Sequence, residues 1–215
     1  MGRSSLAIII PAKNEAKTIG RVIKQAIKYG SVIVIDDASQ DNTYEVSKTH
    51  GAKVIRNEQN LFYDESLNRG FKFAKKKKFK FLITIDADGQ HDLKMIPVFL
   101  KNLKKGFDLI LGKRKKLPRI SENIISQVYK KKFKVSDLYC GMKGYNSKWL
   151  NKFKVFDRFG SVGTDLASRI LNEKNTKFLE IVVKIKERKD TPRIGNRFVA
   201  NFRIFKSFFL NLLNN

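Results

Sequence analysis

Cysteine occurs once in the 215 residues, at Cys140. A single thiol excludes an intrachain disulfide and leaves a thiolate zinc cluster short of ligands, so a reducing cytoplasm is the expected compartment. Histidine is nearly as scarce. His50 and His91 are too few and too scattered for a histidine-based metal site or a serine triad, and His91 reads either as a support for a neighbouring group or as a surface residue. No run approaches the roughly 18 apolar residues of a membrane-spanning helix, so membrane contact is expected to be peripheral. The apolar stretch Leu6–Ile10 is too brief for the core of a secretory signal and lacks the small-residue cleavage pattern. It reads as a buried first strand. With no internal repeat or low-complexity linker, one domain and one active site are expected.

Acidic residues are also in short supply: 20 Asp and Glu against 45 Lys and Arg give a formal charge of +25. Folding does not require such an excess, and the surface calls for an anionic partner. Nucleic acid, anionic lipid headgroups and phosphorylated small molecules all answer that description, because net charge reports attraction and not chemical identity.

What is abundant is alternation. Apolar runs at Leu6–Ile10, Val32–Ile35, Lys53–Ile55, Phe81–Ile85 and Asp108–Leu111 read as strands, with amphipathic helical patterns between them. That rhythm predicts an α/β fold with a mostly parallel sheet, whose ligands bind beyond the carboxyl ends of the strands. The second half is less regular. A basic stretch Lys113–Arg119 leads into a polar helix ending near Lys134, a helix is expected from Thr164 to Glu173, and a strand over Ile181–Ile185. A last helix carries Phe198, Phe202, Phe205, Phe209 and Leu212 on one face, with Arg203 and Lys206 flanking it. This composition suits a lipid interface or packing on the core.

The polar clusters fall where the strands end. Asp86 and Asp88, one residue apart after the fourth strand, suit a hard divalent cation, Mg²⁺ or Mn²⁺, with Gln90 as a further oxygen ligand. The competing explanation is a strand-ending turn, where Asp and Gly are favoured for backbone reasons. Asp36 and Asp37 end the second strand, where a carboxylate can accept from a ribose hydroxyl or a base N–H; a cap for the helix near Thr43 is the alternative. Pro11–Glu15 opens a helix whose free N–H groups would favour an anion, or whose start is simply capped by Asn14. Arg114, after the fifth strand, offers a planar fork for phosphate or is a solvated basic turn.

In this order and at these intervals, three segments resemble the family 2 glycosyltransferases with the GT-A fold, particularly polyprenyl-phosphate sugar synthases. They are Ile8-Ile9-Ile10-Pro11-Ala12-Lys13-Asn14-Glu15, Asp36-Asp37-Ala38-Ser39-Gln40-Asp41-Asn42-Thr43 and Asp86-Ala87-Asp88-Gly89-Gln90-His91. The resemblance implies a Rossmann-like nucleotide-diphospho-sugar transferase domain over 1–197. Residues 1–112 would form the donor half and 113–197 the acceptor half, followed by an amphipathic helix over 198–215. It implies that Pro11, Ala12, Asn14, Glu15 and Asp37 hold the nucleoside and that Asp86, Ala87, Asp88 and Gln90 surround metal and diphosphate. Asp137-Leu138-Tyr139-Cys140-Gly141-Met142-Lys143 is similar to the family segment in which Asp precedes Cys-Gly-Phe-Lys or Ser-Gly-Phe-Arg, with Met142 replacing the aromatic. Gly163-Thr164-Asp165-Leu166 resembles a later acidic position, and Glu187-Arg188 with Gly195-Asn196-Arg197 resembles late basic elements.

The implied reaction is an inverting transfer of a hexose from a GDP- or UDP-sugar to a polyprenyl or dolichyl phosphate, at the cytoplasmic face of an anionic membrane. If the acceptor is instead a hydroxyl of a glycolipid, polysaccharide or protein-linked glycan, a carboxylate must take its proton, and Asp137 or Asp165 is the candidate base. A lipid phosphate needs no base, and Arg114, Arg188, Arg193 and Arg197 would receive it. A nucleic-acid-binding protein is the reading of another class. It is disfavoured because the three acidic loops would repel a phosphate backbone, so no nucleic-acid partner is expected.

Overall fold

The computed structural model describes residues 5–186 and 197–214. Strand β1, Leu6–Ala12, is buried along its whole length, as expected of a central parallel strand covered on both faces. Its side chains alternate between two cores: Ala7 and Ile9 enter one cluster, Ile8 and Ile10 the other. Strands β2 (Ser31–Asp36), β3 (Lys53–Arg56) and β4 (Phe81–Thr84) extend the same sheet, followed by β5 (Leu109–Lys113), β6 (Lys143–Asn146) and β7 (Phe178–Val182). The order is β3-β2-β1-β4-β6-β5-β7. Every pairing is parallel except those of β6, which runs antiparallel to both β4 and β5.

The helices are α1 (Ala16–Ala26), α2 (Thr43–Thr49), α3 (Phe62–Lys76), α4 (Ile96–Lys104), α5 (Ile120–Phe133), α6 (Lys148–Lys152), α7 (Asp165–Asn172) and α8 (Arg197–Asn214). In α1, Ile19, Val22, Ile23 and Ala26 repeat at helical spacing and bury one face. Helix α3 approaches β1 so closely that a Cβ on Gly70 would stand 2.5 Å from Ile9 Cγ2. Only glycine permits that contact.

Two expectations need correction. Strand β6 was not foreseen, and the strand expected over Ile181–Ile185 lies earlier, at Phe178–Val182, with Ile185 making only an isolated bridge to His91. Glu180 interrupts the apolar pattern of β7 because its carboxylate accepts from the N–H groups of Ser136 (2.7 Å) and Asp137 (2.9 Å).

The topology has two poles. Carboxyl ends of the parallel strands and the amino end of antiparallel β6 share one rim, so the acidic loops and the segment 137–142 meet there. The amino ends of β4, β5 and β7, with the carboxyl end of β6, form the opposite pole. Exposed lysines crowd it, in the stretches 75–80, 101–105, 148–154 and 174–177. Much of the positive charge therefore lies away from the rim.

Candidate active site

The first two loops of the rim are laced together. Ser39 Oγ accepts from Asn14 N–H at 2.9 Å, Thr43 Oγ1 from Glu15 N–H at 2.7 Å and Asp41 Oδ2 from Ala16 N–H at 3.1 Å. Asn14 Oδ1 accepts in return from Gln40 N–H at 2.8 Å. The N–H groups of Asn14, Glu15 and Ala16, just before and at the start of α1, are thus satisfied from the neighbouring loop. They are not open to an anion, and Asn14 caps the other loop rather than its own helix. Asn14 and Ala38 adopt positive φ, 52° and 53°, a strained backbone fixed by this lacing.

Neither Asp36 nor Asp37 caps α2, since Asp41 Oδ1 takes Thr43 N–H at 3.0 Å. Asp37 is buried, and its Oδ1 accepts from Asn57 Nδ2 (2.8 Å) and Leu61 N–H (2.7 Å). Asp36 is fully buried, ion-paired with Arg56 Nε at 3.3 Å, yet neither carboxylate oxygen accepts a hydrogen bond among the described residues. Pro11 and Ala12 line the same corner as the buried end of β1, with Ala12 O accepting from Asp37 N–H at 2.8 Å.

At the end of β4 the Asp86 side chain is 35% exposed, and its recorded contacts are long: Tyr63 Oη donates to Oδ1 at 3.4 Å and His91 Nε2 lies 3.5 Å from Oδ2. His91 Nδ1 accepts from the backbone N–H of Asp86 at 3.2 Å, which assigns the remaining ring proton to Nε2, facing the carboxylate. His91 is therefore a buried brace for Asp86 and not a surface residue. Tyr63 was not anticipated; burial first, then the charge of Asp86, pushes its phenol well above the ordinary value. Gly141 backs the carboxylate: a Cβ there would fall 2.4 Å from Asp86 Oδ2.

Asp88 Oδ1 accepts from Gln90 N–H at 3.0 Å, in a turn completed by Gly89 at φ 75° and preceded by buried Ala87. Gln90 Nε2 donates to Lys186 O at 2.7 Å, tying this loop to the segment after β7. No group of three His, Cys, Asp or Glu side chains poised for a metal exists among the described residues. Mg²⁺ or Mn²⁺ takes one or two carboxylates and completes its shell with substrate phosphates and water. A half-exposed carboxylate held by two long contacts is a suitable ligand for such an ion.

Arg114 and Asp137 are brought together, but with each other. Arg114 Nε donates to Asp137 Oδ2 at 2.8 Å and Nη2 to Oδ1 at 2.9 Å; Nη2 also reaches Glu122 Oε2 at 2.9 Å, and Arg119 Nη1 reaches Glu122 Oε1 at 2.5 Å. Asp137 further accepts from the N–H groups of Arg114, Tyr139 and Cys140. Burial works against the Arg114 charge, but the bond to Asp137 and the charges of Asp137 and Glu122 together outweigh it and raise the pKa. Asp165, fully buried, is enclosed in the same manner by Arg158 Nε (3.0 Å), Arg158 Nη2 (2.9 Å) and Arg169 Nη2 (3.2 Å). Both expected bases are thus neutralised within the fold. Arg188 and Arg193 lie outside the described residues; Arg197 begins α8, and its side chain lies outside them also.

Beside this rim, α5 and α8 run alongside one another in the same direction. Ser121 Oγ bonds Asn201 Oδ1 at 2.6 Å near one end, and the rings of Tyr129 and Phe208 meet at 5.6 Å near the other. Ile204 and Phe208 of α8 are buried, so this helix packs on the domain. The opposite faces present Ile120, Ile124 and Val128 from α5 and Phe202 and Phe209 from α8 to solvent. Helical periodicity sets these stripes side by side on the outer surface of the pair. No helix of the described residues is long and apolar enough to cross a membrane.

Residues 7–153 match the family described as "Glycosyl transferase family 2". An uncharacterized protein of Methanocaldococcus jannaschii is 37% identical over 117 residues, covering 53% of this chain and 48% of that one. A dolichol-phosphate mannosyltransferase of Pyrococcus furiosus is 31% identical over 119 residues, covering 51% of this chain and 33% of that one. The aligned part thus spans half or less of the length of each of these relatives. Among solved structures, glucosyl-3-phosphoglycerate synthase from Mycobacterium tuberculosis in complex with Mg²⁺ and uridine diphosphate superposes with a TM-score of 0.78. It is 17% identical, covering 98% of this chain and 79% of that one. The expected α/β fold of GT-A type is the fold observed.

Proposed function

The chain belongs to glycosyl transferase family 2 and is a glycosyltransferase, and on that premise we propose that it transfers a hexose from a GDP- or UDP-sugar to a polyprenyl phosphate, with inversion. One observation carries the choice of acceptor. Asp137 and Asp165, the carboxylates that could deprotonate a hydroxyl, are both sealed in ion pairs. A phosphate monoester has its second pKa near 6 and is already largely an anionic nucleophile at neutral pH, so it needs no base. The name of the Pyrococcus furiosus relative supports the same choice.

In the proposed reaction the bond from the anomeric carbon to the nucleotide diphosphate breaks in line as the bond to the acceptor oxygen forms. Pro11, Ala12, Asn14, Glu15 and Asp37 frame the nucleoside. Asp36, fully buried and ion-paired with Arg56, supports this corner from beneath. Asp86, Asp88 and Gln90 are the proposed holders of a divalent cation, which would supply positive charge to the departing diphosphate. His91 and Tyr63 orient Asp86, and Gly141 leaves room for it. Arg114 keeps the 137–142 segment in place through Asp137 rather than offering a free charge. Arg188, Arg193 and Arg197 are proposed to receive the acceptor phosphate on the strength of their charge alone.

The paired apolar stripes of α5 and α8, with Lys131, Lys132 and Lys206 exposed nearby, support peripheral contact with an anionic membrane. The defining experiment is product analysis. Labelled sugar should move into an organic phase as a glycosyl phosphate ester of a short polyprenyl phosphate, with the anomeric configuration opposite to that of the donor. Label appearing on a hydroxyl acceptor, with none on the lipid phosphate, would replace this proposal.

A further inference from the structure

Lys143 is 2% exposed and is among the largest fully buried side chains of the protein. Lysine is almost never buried unless paired. Strand β6 forces the position: Lys143 lies in register between Thr84 of β4 and Leu111 of β5, and its N–H is held by Thr84 Oγ1 at 3.3 Å. It shares a sheet face with Tyr145, which packs against Phe71 and Phe156. An apolar residue would serve that face better.

Among the described residues no hydrogen bond or ion pair reaches its ammonium. The neighbouring acids are already engaged, Asp137 by Arg114 and main-chain N–H groups, Asp86 by Tyr63 and His91. Burial lowers the Lys143 pKa, while Cys140, Asp137 and Asp86 act to keep it charged. Its Nζ stands 3.9 Å from where a Cβ on Gly163 would be, and that Cβ would also touch Tyr63 and Leu67 at 3.4 Å. The ammonium thus ends beside Gly163 and close to Tyr63, the phenol that braces Asp86, where the glycine adds no side chain of its own.

We propose that Lys143 is a phosphate-binding residue of the transferase, its ammonium taking a phosphate oxygen either from the donor diphosphate or from the acceptor monoester. The proposal rests on the transferase reading above. It accounts for the cost of an unpaired buried charge, since a bound anion supplies the missing partner.

The test compares wild type with Lys143→Met and Lys143→Gln. Melting temperature is recorded alone and with inorganic pyrophosphate, Mn²⁺–UDP or a short polyprenyl phosphate, together with the KM for each substrate. Removing the charge should leave the ligand-free protein as stable as wild type or more so, and weaken phosphate binding by about tenfold or more, the worth of a hydrogen bond to a charged group. Loss confined to Mn²⁺–UDP and pyrophosphate assigns the donor diphosphate; a raised KM for polyprenyl phosphate with unchanged UDP binding assigns the acceptor. Wild-type affinities in both variants, with or without a lowered melting temperature, would overturn the proposal, as would a wild type that binds none of the three anions. If wild type transfers no sugar while the variants still lose pyrophosphate binding, the transferase reading falls and the anion site stands.

Discussion

Replacing Gly141 by alanine should disable the site while sparing the fold. A Cβ at this position would lie 2.4 Å from Asp86 Oδ2, 2.5 Å from Oδ1 and 2.7 Å from Cγ. The Gly141 φ is not positive, so the backbone accepts alanine and the effect is steric. To reach ordinary contact near 3.4 Å the carboxylate must retreat by about 1 Å, several times the roughly 0.2 Å tolerance of a metal–ligand distance. A misplacement of about 1 Å costs on the order of a hundredfold in rate. Because the Asp86 side chain is 35% exposed and can swing outward, the fold should lose no more than about 1–3 kcal/mol. The assay is the metal dependence of nucleotide diphosphate release, with kcat/KM measured across a Mn²⁺ titration and urea unfolding run in parallel. Gly144→Ala is the control. Three residues on, within β6, it would press on Leu103 at 3.2 Å and Phe99 at 3.3 Å, overpacking the core without touching Asp86. A Gly141→Ala enzyme with wild-type kcat/KM and metal response would refute the reasoning, and so would equal losses in both variants.

Asp137→Asn should unfold more easily by about 1–3 kcal/mol, because it weakens the hold on Arg114, which keeps Glu122 as its remaining charge partner; lost turnover with an unchanged urea midpoint would instead restore Asp137 as a base. Burial, then the charge of Asp157, raises the Asp64 carboxyl from 3.8 to about 7, and Asp64 accepts from Gly163 N–H at 2.7 Å beside the Asp165 ion pairs with Arg158 and Arg169. The folded state therefore binds this proton more tightly than the unfolded chain. Its contribution is fully present below pH 3.8 and is lost as pH rises through about 7, so the urea midpoint should decline over that window in wild type and flatten in Asp64→Asn. On anionic vesicles, the pair Ile124→Ser and Phe202→Ser should weaken binding about tenfold or more, at unchanged melting temperature, since each side chain is exposed and worth roughly 1.5–3 kcal/mol when buried. Unaltered sedimentation with vesicles would exclude this face as the docking surface.

The first half of the chain was readable because its central strands are buried on both faces and therefore spell continuous apolar runs, as in Ile8-Ile9-Ile10 and Val32-Ile33-Val34-Ile35. Strand β6 was not, because Lys143-Gly144-Tyr145-Asn146 offers no β-branched residue, and its partners β4 and β5 are supplied by distant chain. The acidic loops announced themselves through residue type and interval. Their internal wiring did not: Ser39, Asp41 and Thr43 satisfy the start of α1 across 25 to 28 residues, an arrangement visible only once the loops are side by side. The same limit applies to Asp137 and Asp165. A carboxylate reads as a base until Arg114, 23 residues away, or Arg158 is found to hold both its oxygens. Tyr63 carried no motif signal, and Lys143 stood only as the last residue of the Asp137–Lys143 segment; what the sequence could not show is that the first braces Asp86 and the second is buried close by.

The central claim is metal-assisted transfer to a lipid phosphate, and acceptor-dependent release of nucleotide diphosphate tests it most directly. Purified protein would be incubated with Mn²⁺ or Mg²⁺, a panel of UDP- and GDP-sugars and a short polyprenyl phosphate, beside an Asp88→Ala control. The account predicts release that requires both the divalent cation and the lipid phosphate and that disappears in the control. Release that is indifferent to the acceptor, or that survives in Asp88→Ala, would contradict it.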